Sequence, residues 1–96
     1  MSALHIVSKS PFAHSALTDC LRACGSGTLL LIEDAVYATA IGNEWLTPLR
    51  NSQCKLFVLR EDCAARGITA DARIEAIDYA GFVLLCCRHT PIVSWY

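Results

Sequence analysis

Thr28-Leu29-Leu30-Leu31-Ile32 is the stretch on which the fold turns. Consecutive apolar residues from 29 to 32 lack both the alternation of a strand with one wet face and the period of a surface helix. They fit a short strand buried on both faces, which marks the centre of a parallel sheet. Gly25-Ser26-Gly27 stops whatever precedes the run, and Glu33-Asp34 follows it, where carboxylates suit the start of a helix.

Towards the N-terminus, Leu4, Ile6 and Val7 predict a first strand that ends at the turn residues 8–11. Ser10 is placed to cap, and Pro11 to open, a helix running to about Cys24. Leu17, Leu21 and Cys24 form its apolar stripe, with Ala13, Ala16 and Cys20 on the shoulder and Asp19 and Arg22 opposite, so it packs on one face. Towards the C-terminus a short helix over 35–40 is broken by Gly42-Asn43, and a segment through Trp45 and Leu49 leads to a strand over 55–59. A helix over 61–66 stops at Gly67, a strand spans 73–77, Asp78 caps a helix over 78–89, and a last strand follows Pro91. Five strands alternating with helices predict one open α/β domain over 1–96, with helices on both faces and short right-handed crossovers.

The helix over 78–89 is apolar all round: Tyr79, Phe82, Val83, Leu84, Leu85, Cys86 and Cys87 leave no polar side. Its own sheet covers one face, so the opposite face is expected to meet a partner. Composition points the same way. Fifty-four per cent of the 96 residues are apolar and mean hydropathy is +0.40, a surplus for so small a domain. The longest apolar stretches, 29–32 and 80–87, fall far short of the roughly 20 residues of a membrane span. Residues 5–10 interrupt any secretory pattern, and a cytosolic chain is expected. A net charge of −1 with scattered Lys and Arg disfavours direct nucleic-acid binding.

Six cysteines in a cytosolic chain are expected to be thiols. Their spacing lacks paired C-x-x-C halves, so no metal site is expected. Cys54, Cys63, Cys86 and Cys87 are expected as small buried hydrophobes. Cys20, at the edge of its stripe, is read from its position as a structural residue, although a partner could reach a thiol placed there. His5, His14 and His89 are scattered and expected at the surface or satisfied. Glu33 and Asp34 lie at the carboxyl end of a strand, where open α/β sheets bind ligands, although two acids there suit a helix start. Trp95 and Tyr96 are expected to form an aromatic docking end.

Five pieces, in order, resemble the TusB/DsrH family: Leu4-His5 with Ser10-Pro11; Glu33-Asp34-Ala35-Val36-Tyr37-Ala38; Glu61-Asp62 with Ala65-Arg66-Gly67; Asp78-Tyr79 with Gly81-Phe82-Val83; and Trp95. The resemblance runs from end to end. It implies a DsrE-like three-layer α/β/α fold with a five-stranded parallel sheet, and no cofactor. It also implies an accessory subunit of a TusBCD-type sulfurtransferase complex, a heterohexamer with TusC-like and TusD-like chains. Such a complex passes persulfide sulfur through a TusE-like acceptor toward 2-thiolation of the tRNA wobble uridine. Two other roles stay open: a DsrH-type subunit in cytoplasmic sulfur oxidation, and an interaction subunit without chemistry. The family's principal sulfur-bearing cysteine belongs to a partner, but DsrH-like chains can carry one in the first helix, which makes Cys20 the candidate persulfide carrier. An apolar surplus of this size also allows a homo-oligomer when partners are absent.

Overall fold

A strand buried on both faces must find backbone hydrogen-bond partners on both edges, because no water reaches it. In the computed structural model, which describes residues 3–96, β2 (Thr28–Leu31) meets this demand by pairing in parallel with β1 (Leu4–Val7) and β3 (Lys55–Leu59). β4 (Glu75–Ile77) adds to β3, and β5 (Ile92–Trp95) adds to the far side of β1. The sheet is all parallel, with order β4-β3-β2-β1-β5.

Side chains of β2 alternate between two cores. Leu29 and Leu31 join Val7 and Val58 in the larger one, closed by α1 (Ala16–Ala23), a 3-10 helix (Glu33–Thr39), α2 (Leu46–Asn51) and α3 (Arg60–Ala65). Leu30 points the other way and joins Leu4 and Phe57 beneath Leu85 of α4 (Tyr79–Arg88). The result is the expected three-layer α/β/α arrangement, with α4 the one described helix on the second face.

Local chemistry explains where the observed elements depart from expectation. The first helix starts at Ala16 rather than Pro11. The Ser10 hydroxyl accepts from the Phe12 N–H at 3.2 Å and the Ser10 carbonyl accepts from Ala13 and His14, closing a single turn that does not propagate. Its buried side centres on Ala16, Leu17 and Cys20, with Leu21 only half-buried, so the helix is rotated from the expected stripe. β4 starts at Glu75 rather than at 73, because the backbone and guanidinium of Arg73 both bind the Asp71 carboxylate and hold a turn there.

The helix expected over 35–40 is a 3-10 helix that starts two residues earlier, at Glu33, and the segment through Trp45 and Leu49 forms α2, whereas the ends of α3 and α4 are found within about a residue of expectation. α3 closes with Gly67 at φ 64°, and the N–H groups of Gly67 and Ile68 donate to the carbonyls of Ala64 and Cys63, a left-handed stop that glycine adopts without strain. Asp78 caps α4: its Oδ1 accepts from the Gly81 N–H at 2.9 Å. A Cβ at Gly81 would lie 2.9 Å from Cβ of Ile77, so glycine is what lets α4 approach β4 this closely.

Two substitutions separate core from cap. Leu30→Ala removes a fully buried side chain between β2 and α4 and is expected to cost about 2–5 kcal/mol. Asp78→Ala removes one capping bond and is expected to cost about 1 kcal/mol. Urea unfolding of the two variants checks the ranking.

Candidate functional site

The carboxyl ends of β2, β3 and β4 carry Glu33-Asp34, Glu61-Asp62 and Asp78-Tyr79, three of the motif pieces that are far apart in sequence. Here they form one linked row. The Glu33 N–H donates to Oδ2 of Asp62 at 2.6 Å, Nε of Arg66 donates to Oδ1 of Asp34 at 3.0 Å, and the Tyr79 N–H donates to Oε2 of Glu61 at 3.2 Å. Arg60 pairs with Asp78 at 3.4 Å. Glu33 has φ 50°, the one positive value at a non-glycine among the described residues. Such a left-handed backbone costs roughly 1–2 kcal/mol, and the Asp62 carboxylate, which accepts the Glu33 amide, holds it in place. Glu33 and Asp34 therefore start the 3-10 helix and bind it to α3. These contacts tie three strand ends together, and the row acts as a latch.

The cysteines divide into three groups. Cys20 is fully buried in the larger core rather than on an accessible shoulder, and burial pushes its thiol up to about 12. Cys63 is also buried; burial raises its pKa, partly countered by a hydrogen bond with Thr39. Cys24 and Cys54, expected as thiols, are brought sulfur to sulfur, which sets the end of α1 against the residue before β3. Cys86 and Cys87 are not buried as expected: Cys86 is half-buried and Cys87 exposed, because none of the described residues covers the outer side of α4.

Residues 9–92 match the family described as DsrH like protein. The chain belongs to the DsrH/TusB family. It is 41% identical to Protein TusB of Escherichia fergusonii over 96% of this chain and 99% of that protein. It is 40% identical, with the same coverage, to Protein TusB of Escherichia coli O139:H28 and of Shigella boydii serotype 18.

In this DsrH-family chain the near-terminal tryptophan is not a free docking element. Nε1–H of Trp95 donates to Nδ1 of His5 at 3.0 Å, with Trp95 packed against the larger core and His5 buried. The bond fastens edge strand β5 to β1, while Tyr96 remains 85% exposed. Sequence pattern alone gives no sign of this pairing, since 90 positions separate the two residues.

α4 does present the uncovered face that its composition predicts: Tyr79, Val83 and Leu84 are 55%, 61% and 53% exposed. No helix of the described residues is long and apolar enough to cross a membrane.

His5 yields a pH prediction. Burial lowers its folded-state pKa, so the native chain binds fewer protons than the unfolded one, whose histidine titrates near 6.5. The stability associated with neutral His5 is complete above about pH 6.5 and is lost as pH falls through the depressed folded value. Urea midpoints between pH 8 and 5 are expected to fall more steeply in the wild type than in His5→Gln, where this titration is gone. Parallel curves would show that His5 does not contribute.

Proposed function

We propose that this chain is a TusB-type subunit of a cytoplasmic sulfur-relay complex, assembled with TusC-like and TusD-like subunits in a heterohexamer. The complex passes persulfide sulfur through a TusE-like acceptor toward 2-thiolation of the tRNA wobble uridine. The observation that carries this reading is the bare apolar face of α4, with Tyr79, Val83 and Leu84 open to solvent, in a chain matched over nearly its full length by proteins named TusB. Side chains of this size at adjacent exposed positions favour burial against another protein. The latch at the carboxyl ends of the strands supports the same reading from inside, because it stiffens the surface that partners would meet.

Within the complex two roles compete, and the burial of Cys20 favours the one without chemistry. A carrier thiolate would attack the outer sulfur of a partner's persulfide; the new Sγ–S bond would form as the donor S–S bond breaks, and the donor cysteine would leave as a thiolate. Burial pushes the Cys20 thiol up to about 12, so the thiolate that such an attack needs is strongly disfavoured at pH 7, and no solvent reaches it. The chain thus acts as a scaffold, and Cys20 carries sulfur only if assembly opens α1.

Purification of the tagged chain from the cells that make it, followed by native mass spectrometry, is expected to return a hexamer with two small TusC-like and TusD-like partners. Val83→Asp is expected to weaken that assembly by at least tenfold. Deleting the chain is expected to remove 2-thiouridine from tRNA nucleosides. A lone chain, or unrelated partners, overturns the relay reading. Replacing Cys20 by Ser is expected to leave tRNA thiolation intact; loss of both thiolation and a persulfide mass increment on this subunit would instead assign Cys20 as a carrier.

A further inference from the structure

A separate cleft lies on the side of the molecule formed by the loop after β1 and the start of α2. It encloses about 380 Å³ and is lined by Pro11, Phe12, Glu44, Trp45 and Pro48. This volume falls within the range of small ligand sites. Both walls are held in place before anything binds. On one side, the Ser10 hydroxyl accepts the Phe12 N–H and the Ser10 carbonyl accepts those of Ala13 and His14. On the other, Nδ2 of Asn43 donates to the carbonyls of Ala38 and Ala40 at 2.7 and 2.8 Å, while its Oδ1 accepts the Trp45 N–H at 2.7 Å. The closed turn at Ser10, which displaces the start of α1, is thus also what leaves Phe12 57% exposed at the rim.

The chemistry of the lining selects an occupant. Two aromatic rings and two prolines provide flat apolar walls, and Glu44 adds a carboxylate that is exposed and has no ion pair or hydrogen bond among the described residues. A carboxylate at the rim repels phosphates and other anions, and a single one is too few donors for a metal. A cation whose stem lies along aromatic surface and whose head meets a carboxylate satisfies every wall. Arginine fits better than lysine, because its planar guanidinium stacks on a ring and forks onto a carboxylate.

We propose that the Phe12–Trp45 cleft is a docking site for an arginine side chain of a partner protein, with the guanidinium held by Glu44. The site is distinct from the outer face of α4, and it does not rest on the sulfur-relay reading. The competing view is that Glu44 only favours the adjacent start of α2, which predicts an effect on stability and none on binding.

The two tryptophans make the test direct. The full-length chain, labelled with ¹⁵N, is titrated with acetyl-Pro-Arg-Pro-amide while both indole N–H resonances are followed. Trp45 is expected to shift saturably; Trp95, engaged with His5, is expected to stay and so report an intact fold. The peptide with norleucine in place of arginine, and the Glu44→Gln variant with the original peptide, are each expected to bind at least about fivefold more weakly. Glu44→Gln is expected to unfold at the wild-type urea midpoint. Absence of a saturable Trp45 shift at millimolar peptide overturns the proposal, as does equal affinity for the norleucine peptide. Unchanged binding by Glu44→Gln also overturns it, and with an altered midpoint assigns Glu44 to helix stability instead.

Discussion

Two-sided burial of β2 is the constraint from which the rest of the structure follows. Leu29, Leu30 and Leu31 are each fully buried, and each buried leucine contributes on the order of 1.5–3 kcal/mol. That gain is available only if the strand is central and paired on both edges, which sets β1 and β3 beside it, and only if helices lie on both faces. Leu30 calls for α4 on one side, while Leu29 and Leu31 call for α1 and the 3-10 helix on the other. A chain of 96 residues has enough helix to cover the first face well and the second with α4 alone. The bare outer side of α4 is the consequence of that imbalance.

The motif residues cooperate at the carboxyl ends of the strands. Asp62 accepts the amide of a residue in a left-handed conformation, Arg66 joins Asp34, and Glu61 reaches the first residue of α4. Each is a modest polar contact near the surface. Together they fasten three successive strand ends, so the loops that leave the sheet are held in one arrangement. These are the residues that carry the family resemblance, and here they fasten the fold.

Reactivity is withheld where the sequence most invites it. Cys20 lies in the first helix, but its side of that helix faces the sheet, and desolvation favours its neutral thiol. The surfaces left open are of another kind: an apolar helix face, and an aromatic cleft with an exposed carboxylate. Both suit recognition of other chains, and α4 also carries the exposed thiol of Cys87. The physical character of the surface therefore agrees with a subunit that holds partners together.

Element order, the central strand, the cap at Asp78 and the stop at Gly67 were determined by the sequence itself, because each depends on residues within a few positions of one another. Periodicity, capping chemistry and glycine's freedom at positive φ are local. The apolar encirclement of α4 was legible for the same reason. The rotation of α1 that buries Cys20, the bond from Trp95 to His5, the approach of Cys24 to Cys54 and the meeting of Glu33 with Asp62 were decided only by the tertiary structure. Each sets side by side residues that are distant in the chain, or selects one helical phase from two that a short amphipathic pattern allows equally. Such choices follow from how the sheet orders its strands and which face each helix must cover, and no local run of residues contains that information.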